Sequence, residues 1–191
     1  MRDGLEKARM DPTSPRDPAK RPDTLAPMIE LRRLGVDDLS MARYIHAAAF
    51  ASAAQGHYTA ADTEAFGEFV RSPRYADLML GNPAVAAWLG DDMVGTAAWS
   101  PGEGRSPTAR VFGVFVRPMF TREGIGRRLV GHVEQDAHAA GYPALEAAAT
   151  LNAAGFFEAL GFRFVRGGTW ALPSGREIPV TFLRKAAFAG L

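Results

Sequence analysis

Residues 110–129, RVFGVFVRPMFTREGIGRRL, constrain the fold more than any other stretch of the chain. The run 110–116 reads as a strand apolar on both faces, as a strand inside a covered sheet must be. Ile125, Leu129, Val133 and Ala137 recur every four residues and form the buried stripe of a helix, which Gly141 is placed to end. Gly124 and Gly126 stand where that helix begins, although glycine is costly inside one. A tight turn is one reading. An anion site is the other, because the first N–H groups of a helix are unpaired and its dipole favours negative charge. Bare backbone at 124 and 126 lets a ligand reach those N–H groups. Arg122, Arg127 and Arg128 add positive charge, and arginine grips phosphate through paired donors. The dipole contributes roughly 0.3–1 kcal/mol per charge, so N–H bonds and arginines must do most of the holding. The stretch is not a Walker A loop. It is not the dinucleotide fingerprint either, because Leu129 stands at the third glycine.

The flanking sequence alternates strands and helices. MIELRRL reads as a strand from Met28. Asp37 or Asp38 caps a helix with Leu39, Ala42, Ile45 and Ala49 on its inner face. TAAD, Thr59 to Asp62, is a capping box before a helix with Phe66 and Val70 inward. Two apolar runs around Gly90-Asp91-Asp92 form a hairpin. ALEAAATL is a strand, NAAGFFEAL a short helix stopped by Gly161, and the chain closes on a hairpin through PSGR. The order β-α-α-β-β-β-α-β-α-β-β predicts a mixed α/β sheet.

The 191 residues suffice for one domain with a sizeable core. Residues 1–27 hold five of the 13 prolines and almost no large apolar side chains, so they read as a disordered tail before a domain at 28–191. A net charge of +1 gives no support to nucleic-acid binding. No cysteine is present, which excludes thiolate chemistry and fits a reducing compartment. No apolar run approaches the ~18–20 residues that span a bilayer. The expected setting is the cytosol, with no membrane partner. No His/Asp/Glu cluster has metal-ligand spacing, and no G-x-S-x-G elbow occurs.

A strand ending in V-x-P, then TREGIGRRL, then LNAAGFFEALGF about 20 residues later, resembles the GCN5-related N-acetyltransferase (GNAT) superfamily. The resemblance covers about residues 29–185. It implies a mostly antiparallel sheet of about seven strands flanked by helices, with acetyl-CoA as co-substrate between two splayed central strands. The main chain of Phe115 and Val116 would then pair with the pantetheine arm. The N–H groups of Arg122, Glu123, Gly124, Ile125, Gly126 and Arg127 would cradle the pyrophosphate, and Asn152 and Phe156 would line the cofactor. Two departures stand out. Thr121 occupies a place usually held by Gln or Arg, and Phe157 a place where many members carry a tyrosine that protonates the leaving thiolate.

That resemblance implies transfer of an acetyl group to a primary amine of a small molecule or peptide, by direct transfer, with a homodimer as one possible assembly. An alkyl amine has a pKa near ~10.4, so its reactive form costs about 4 kcal/mol at pH 7.4. A base, a relay water or a depressed pKa must offset that. His57, Tyr58 and Glu146 are candidates, with His46 behind them. Each has a structural reading beside it: His46 as a packed or surface residue, His57 and Tyr58 as loop residues, Glu146 as structural or exposed. The missing tyrosine at 157 favours a second function, a catalytically silent acyl-CoA-binding module.

Overall fold

The computed structural model describes residues 25–104 and 106–186. Of the tail read over residues 1–27, residues 1–24 lie outside the described residues. Seven strands form one sheet in the order β1-β2-β3-β4-β5-β7-β6. Every neighbouring pair is antiparallel except β4 with β5. The sheet is the mixed, mostly antiparallel one expected.

The first strand is β1 (Glu30–Arg33), shorter than the MIELRRL stretch suggested. Helix α1 (Leu39–Ala53) buries Leu39, Ala42, Ile45, His46 and Phe50. Ala49 is only partly buried, so the inner face runs through His46 and Phe50 instead. Helix α2 (Ala60–Arg71) starts on the expected box, with Thr59 and Asp62 each accepting from the other's main-chain N–H. A further helix, α3 (Pro73–Leu80), follows directly. Ser72 caps it and Pro73 supplies its preset first turn.

Strands β2 (Ala84–Leu89) and β3 (Asp92–Pro101) form the hairpin, turning on Gly90 at φ +61°. Then come β4 (Thr108–Val116), α4 (Ile125–Ala139), β5 (Ala144–Thr150), α5 (Ala154–Ala159), β6 (Arg163–Ala171) and β7 (Glu177–Ala186). Two cores result. One joins the α4 stripe of Ile125, Leu129, Val133 and Ala137 to the sheet and Phe157. The other joins α1, α2 and α3 to the opposite face.

Candidate active site

The only parallel pair in the sheet is also the one that parts. β4 and β5 pair from Thr108↔Ala144 to Val111↔Ala147, and no further. Beyond Val111, β4 continues to Val116 and β5 to Thr150 with an open gap between them. A bulge stands at this level. Ala98 faces Phe112 and Thr96 faces Phe115, so Ala97 opposes both Gly113 and Val114. Such an extra residue bends its strand. Gly113 takes φ +62°, where L side chains are strained, and a β-carbon there would meet the Met79 sulfur at 3.2 Å.

The direction of the main chain at the gap follows from three contacts. Arg117 N–H donates to Val94 O on β3 at 2.9 Å. A β-carbon built on Gly95 would lie 2.8 Å from the Phe115 carbonyl, so Phe115 also turns its main chain to β3. Alternation then turns Val116 to the gap. Thr96 Oγ1 donates to Gly113 O at 2.8 Å. N–H and C=O of one trans peptide point opposite ways, so Val114 N–H also faces the gap. The open edge therefore belongs to Val114 and Val116. Phe115, expected at this edge, turns its side chain to the α1 face and its carbonyl toward β3.

The loop before α4 has the backbone an anion site requires. Arg122 has φ 69°, the only non-glycine residue with positive φ among the described residues. Gly124, the N-cap of α4, has φ 75°. Left-handed residues in a loop turn N–H groups into a shared concavity. Arg122 and Arg127 are exposed beside it, Glu123 is partly exposed, and Ile125 anchors the helix in the core. A β-carbon on Gly126 would lie 3.1 Å from the Phe156 ring, across the gap from Val116. Phe156 in turn meets Phe157 edge-on at 5.2 Å. Asn152 is exposed on the single 3-10 turn, Leu151–Ala153, that follows β5.

On the other face, the α1–α2 connection is tied to the β6–β7 hairpin. Tyr58 OH donates to Pro179 O at 2.8 Å and accepts from Leu151 N–H at 2.9 Å. Burial pushes the Tyr58 phenol up, which keeps its proton in place. Asp62 receives the guanidinium of Arg176. The Thr59 hydroxyl, with Thr59 N–H and Arg176, holds the Asp62 carboxyl below the usual range. Phe66 packs on Phe115 at 5.7 Å and on Trp170 at 6.4 Å, giving this side an aromatic wall.

The proposed bases do not converge. His57 is exposed in the loop, bonded through its main chain to Ala54 O. Glu146 stands between Arg110 and Arg184 in register, on the paired part of β5. Four residues of strand from Arg110 to Val114 put it roughly 10–13 Å from the open N–H, beyond hydrogen-bond reach. His46 is 2% exposed, and burial lowers its pKa to about 3. It is a packed core residue, with Nε2 2.7 Å from Thr96 Oγ1 and Nδ1 3.2 Å from Tyr75 OH. Thr96 and Tyr75 escaped the sequence reading because they lie 50 and 29 residues from His46. One signal was present: a lone glycine inside a strand, Gly113, marks a bulge. Among the described residues no group could hold a metal ion, and no helix is long and apolar enough to cross a membrane.

Comparison with known proteins agrees with this geometry. The model of the Acetyltransferase (GNAT) family matches residues 44–162. A GCN5-related N-acetyltransferase from Rhodopseudomonas palustris is 23% identical with a TM-score of 0.72, covering 82% of this chain and 94% of that one. PaiA N-acetyltransferase from Thermoplasma acidophilum, solved with coenzyme A, is 15% identical with a TM-score of 0.67, covering 83% and 98%. Ribosomal-protein-alanine N-acetyltransferase from Brucella melitensis is 22% identical with a TM-score of 0.58, covering 82% and 99%. At these identities the structural likeness speaks to the fold. No curated protein sequence matches significantly. The family match spans more than half of the chain and includes the bulged strand, the left-handed loop and α4, so this protein belongs to the GNAT acetyltransferase family.

Proposed function

We propose that the chain transfers an acetyl group from acetyl-CoA to a primary amine by direct transfer. The observation that carries this is the unpaired β4 edge at Val114 and Val116, directly before a loop with two left-handed residues at the α4 N-terminus. An amide-bearing arm fits the first and a pyrophosphate fits the second. The residues that would hold the co-substrate are Val114 and Val116 by their main chain and 122–127 by their N–H groups. Asn152 and Phe156 would line it.

Bound there, acetyl-CoA supplies a thioester carbon that an amine attacks while the C–S bond breaks. The chain's own contribution is positional and electrostatic. Val114 N–H would face the acyl oxygen, where negative charge grows, and such a donor strengthens as that charge develops. Among the described residues no side chain at the gap is placed to take the ammonium proton, so water on the open acceptor side would carry it. A thiol has a pKa near ~8.5, so the departing thiolate takes a proton from water without a dedicated acid. Holding the two reactants in line would add to the rate.

Release of free CoA over a panel of amines and peptide N-termini tests this reading, with calorimetry of acetyl-CoA binding beside it. Turnover of any primary amine supports it. Tight binding with no turnover would favour the silent acyl-CoA-binding module, which Phe157 at the tyrosine place recommends. No binding at all would overturn both.

A further inference from the structure

Under the open edge runs a buried polar chain that contacts neither proposed substrate. Tyr75, His46 and Thr96 are 1%, 2% and 0% exposed. Thr96 Oγ1 gives its one proton to Gly113 O, so toward His46 it can only accept. His46 Nε2 therefore carries the ring proton, and its Nδ1 lone pair accepts from Tyr75 OH. The chain has a single direction: Tyr75 to His46, His46 to Thr96, Thr96 to the bulge carbonyl. Its last acceptor belongs to the peptide whose N–H is Val114.

We propose that His46 is a positioning residue: through Thr96 it holds the Gly113–Val114 peptide so that Val114 N–H faces the acyl oxygen. This rests on the acetyl-transfer reading above. The fit of the parts supports it. A β-carbon on Gly113 would lie 3.6 Å from His46 Cε1, so the ring sits directly beneath the bulge. Phe115 covers the same ring at 4.3 Å and Tyr75 meets it edge-on at 5.3 Å, which fixes its plane. A hydroxyl that could rotate would be a poor anchor for a peptide plane. His46 removes that freedom by claiming the Thr96 lone pair. Burial keeps His46 neutral, with its pKa lowered to about 3, so the tautomer does not change near neutral pH. A leucine would fill this space without needing two partners. What a histidine adds is direction.

The test uses the full chain carrying Thr96→Val, Thr96→Ser, His46→Phe or His46→Gln. Thr96→Val and His46→Phe lose the chain, whereas Thr96→Ser and His46→Gln keep a donor in place. The first two are expected to lower kcat by roughly 10–100-fold, less than the roughly 100–1,000-fold for outright loss of an aimed donor, because the Val114 N–H stays present but is no longer held. Their Kd for CoA, which has no acyl oxygen, should stay within about two-fold by the same argument. The second two should recover most of the rate. A second readout needs no turnover: the Val114 amide proton shift, measured with acetyl-CoA and with CoA. In wild type the two ligands should differ at Val114, and in Thr96→Val the difference should vanish. A folded Thr96→Val protein with unchanged kcat and an unchanged Val114 shift would overturn the proposal. If wild type turns over no amine, the acetyl-transfer reading falls, and the Val114 shift alone decides whether the peptide is positioned.

Discussion

Gly126 and Phe156 are in contact: a β-carbon at 126 would lie 3.1 and 3.2 Å from two atoms of the phenylalanine ring. Real β-carbons rarely come so close, so α4 and α5 can approach here only because residue 126 is bare. Gly126→Val is expected to push the ring into the gap and to cover N–H groups of the loop. Loss of one charge-assisted hydrogen bond, about 1.5–3 kcal/mol, weakens acetyl-CoA binding by roughly 10–150-fold. Calorimetry on both proteins measures it. Adding Phe156→Leu to Gly126→Ala separates the causes: recovery assigns the loss to the ring, and no recovery assigns it to the loop. Equal affinity for wild type and Gly126→Val would remove this loop from the co-substrate site.

Arg122 carries a conformation that glycine would hold without strain, at φ 69°. A left-handed L-residue costs roughly 1–2 kcal/mol, and glycine gives back roughly 0.5–1 through its freer unfolded chain. Arg122→Gly should therefore raise stability by up to about 1 kcal/mol, a Tm gain of up to ~4 °C at this size. Affinity for CoA should fall at the same time, because an exposed cation leaves the loop, and the loss should shrink at high salt. A stabilised protein with weaker binding marks backbone strain kept for function. A Tm drop of several degrees would show instead that the Arg122 side chain holds the fold.

Local patterns carried most of the fold. The α4 stripe, the Thr59–Asp62 box and the Gly90 turn each act within a few residues, and each stands where the pattern put it. Helix α3 was missed although Ser72-Pro73 is a start signal, because its eight residues hold little more than two turns of periodicity. The gap was a matter of register. Whether β4 and β5 part after Val111 depends on how three strands align, which no single strand encodes. The loop glycines were legible because the start of a helix is a local feature: Gly124 is the left-handed N-cap of α4. The strain at Arg122 was not, because arginine gives no sign of a left-handed backbone. His46 looked ordinary on a helix; only its distant partners on β3 and α3 give it direction.

Phe157 is 5% exposed and lies edge-on between Phe156 and Phe162, at 5.2 Å from each. It packs in the core joined to α4, so the absence of a tyrosine hydroxyl there has a structural counterpart. Phe157→Leu should keep kcat within a few fold, since no proton passes through this side chain. Phe157→Ala should cost ~3–5 kcal/mol of stability. Phe157→Tyr would place a hydroxyl among apolar rings and cost roughly 1–3 kcal/mol where it finds no partner. Thermal melts and kcat for all three variants check this. A ten-fold rise in kcat for Phe157→Tyr with an unchanged Tm would show that the ring edge reaches the sulfur.

The buried His46 makes stability depend on pH in a calculable direction. Burial alone lowers its folded pKa to about 3, against ~6.5 when unfolded. Between these values the unfolded chain binds a proton that the folded chain refuses, so stability rises with pH there. Below pH ~6.5 each further pH unit removes about 1.4 kcal/mol. From pH 7 to pH 5 the loss is about 2 kcal/mol, a Tm drop of roughly 4–8 °C. The groups facing the ring are Tyr75 and Thr96, which hold it, with the Arg43 guanidinium over the Tyr75 ring. None of them is an acid that would favour the protonated form. Asp62, whose carboxyl is held low, has the same sign but acts in a lower window, about pH 4 and below. Thermal melts from pH 7.5 to 5 on wild type and His46→Gln separate the two. His46→Gln should be less stable at pH 7.5 and nearly flat down to pH 5, so the two curves converge as pH falls. Parallel curves would mean that His46 is protonated in the folded protein, and that its Nδ1 donates to Tyr75 OH instead of accepting from it.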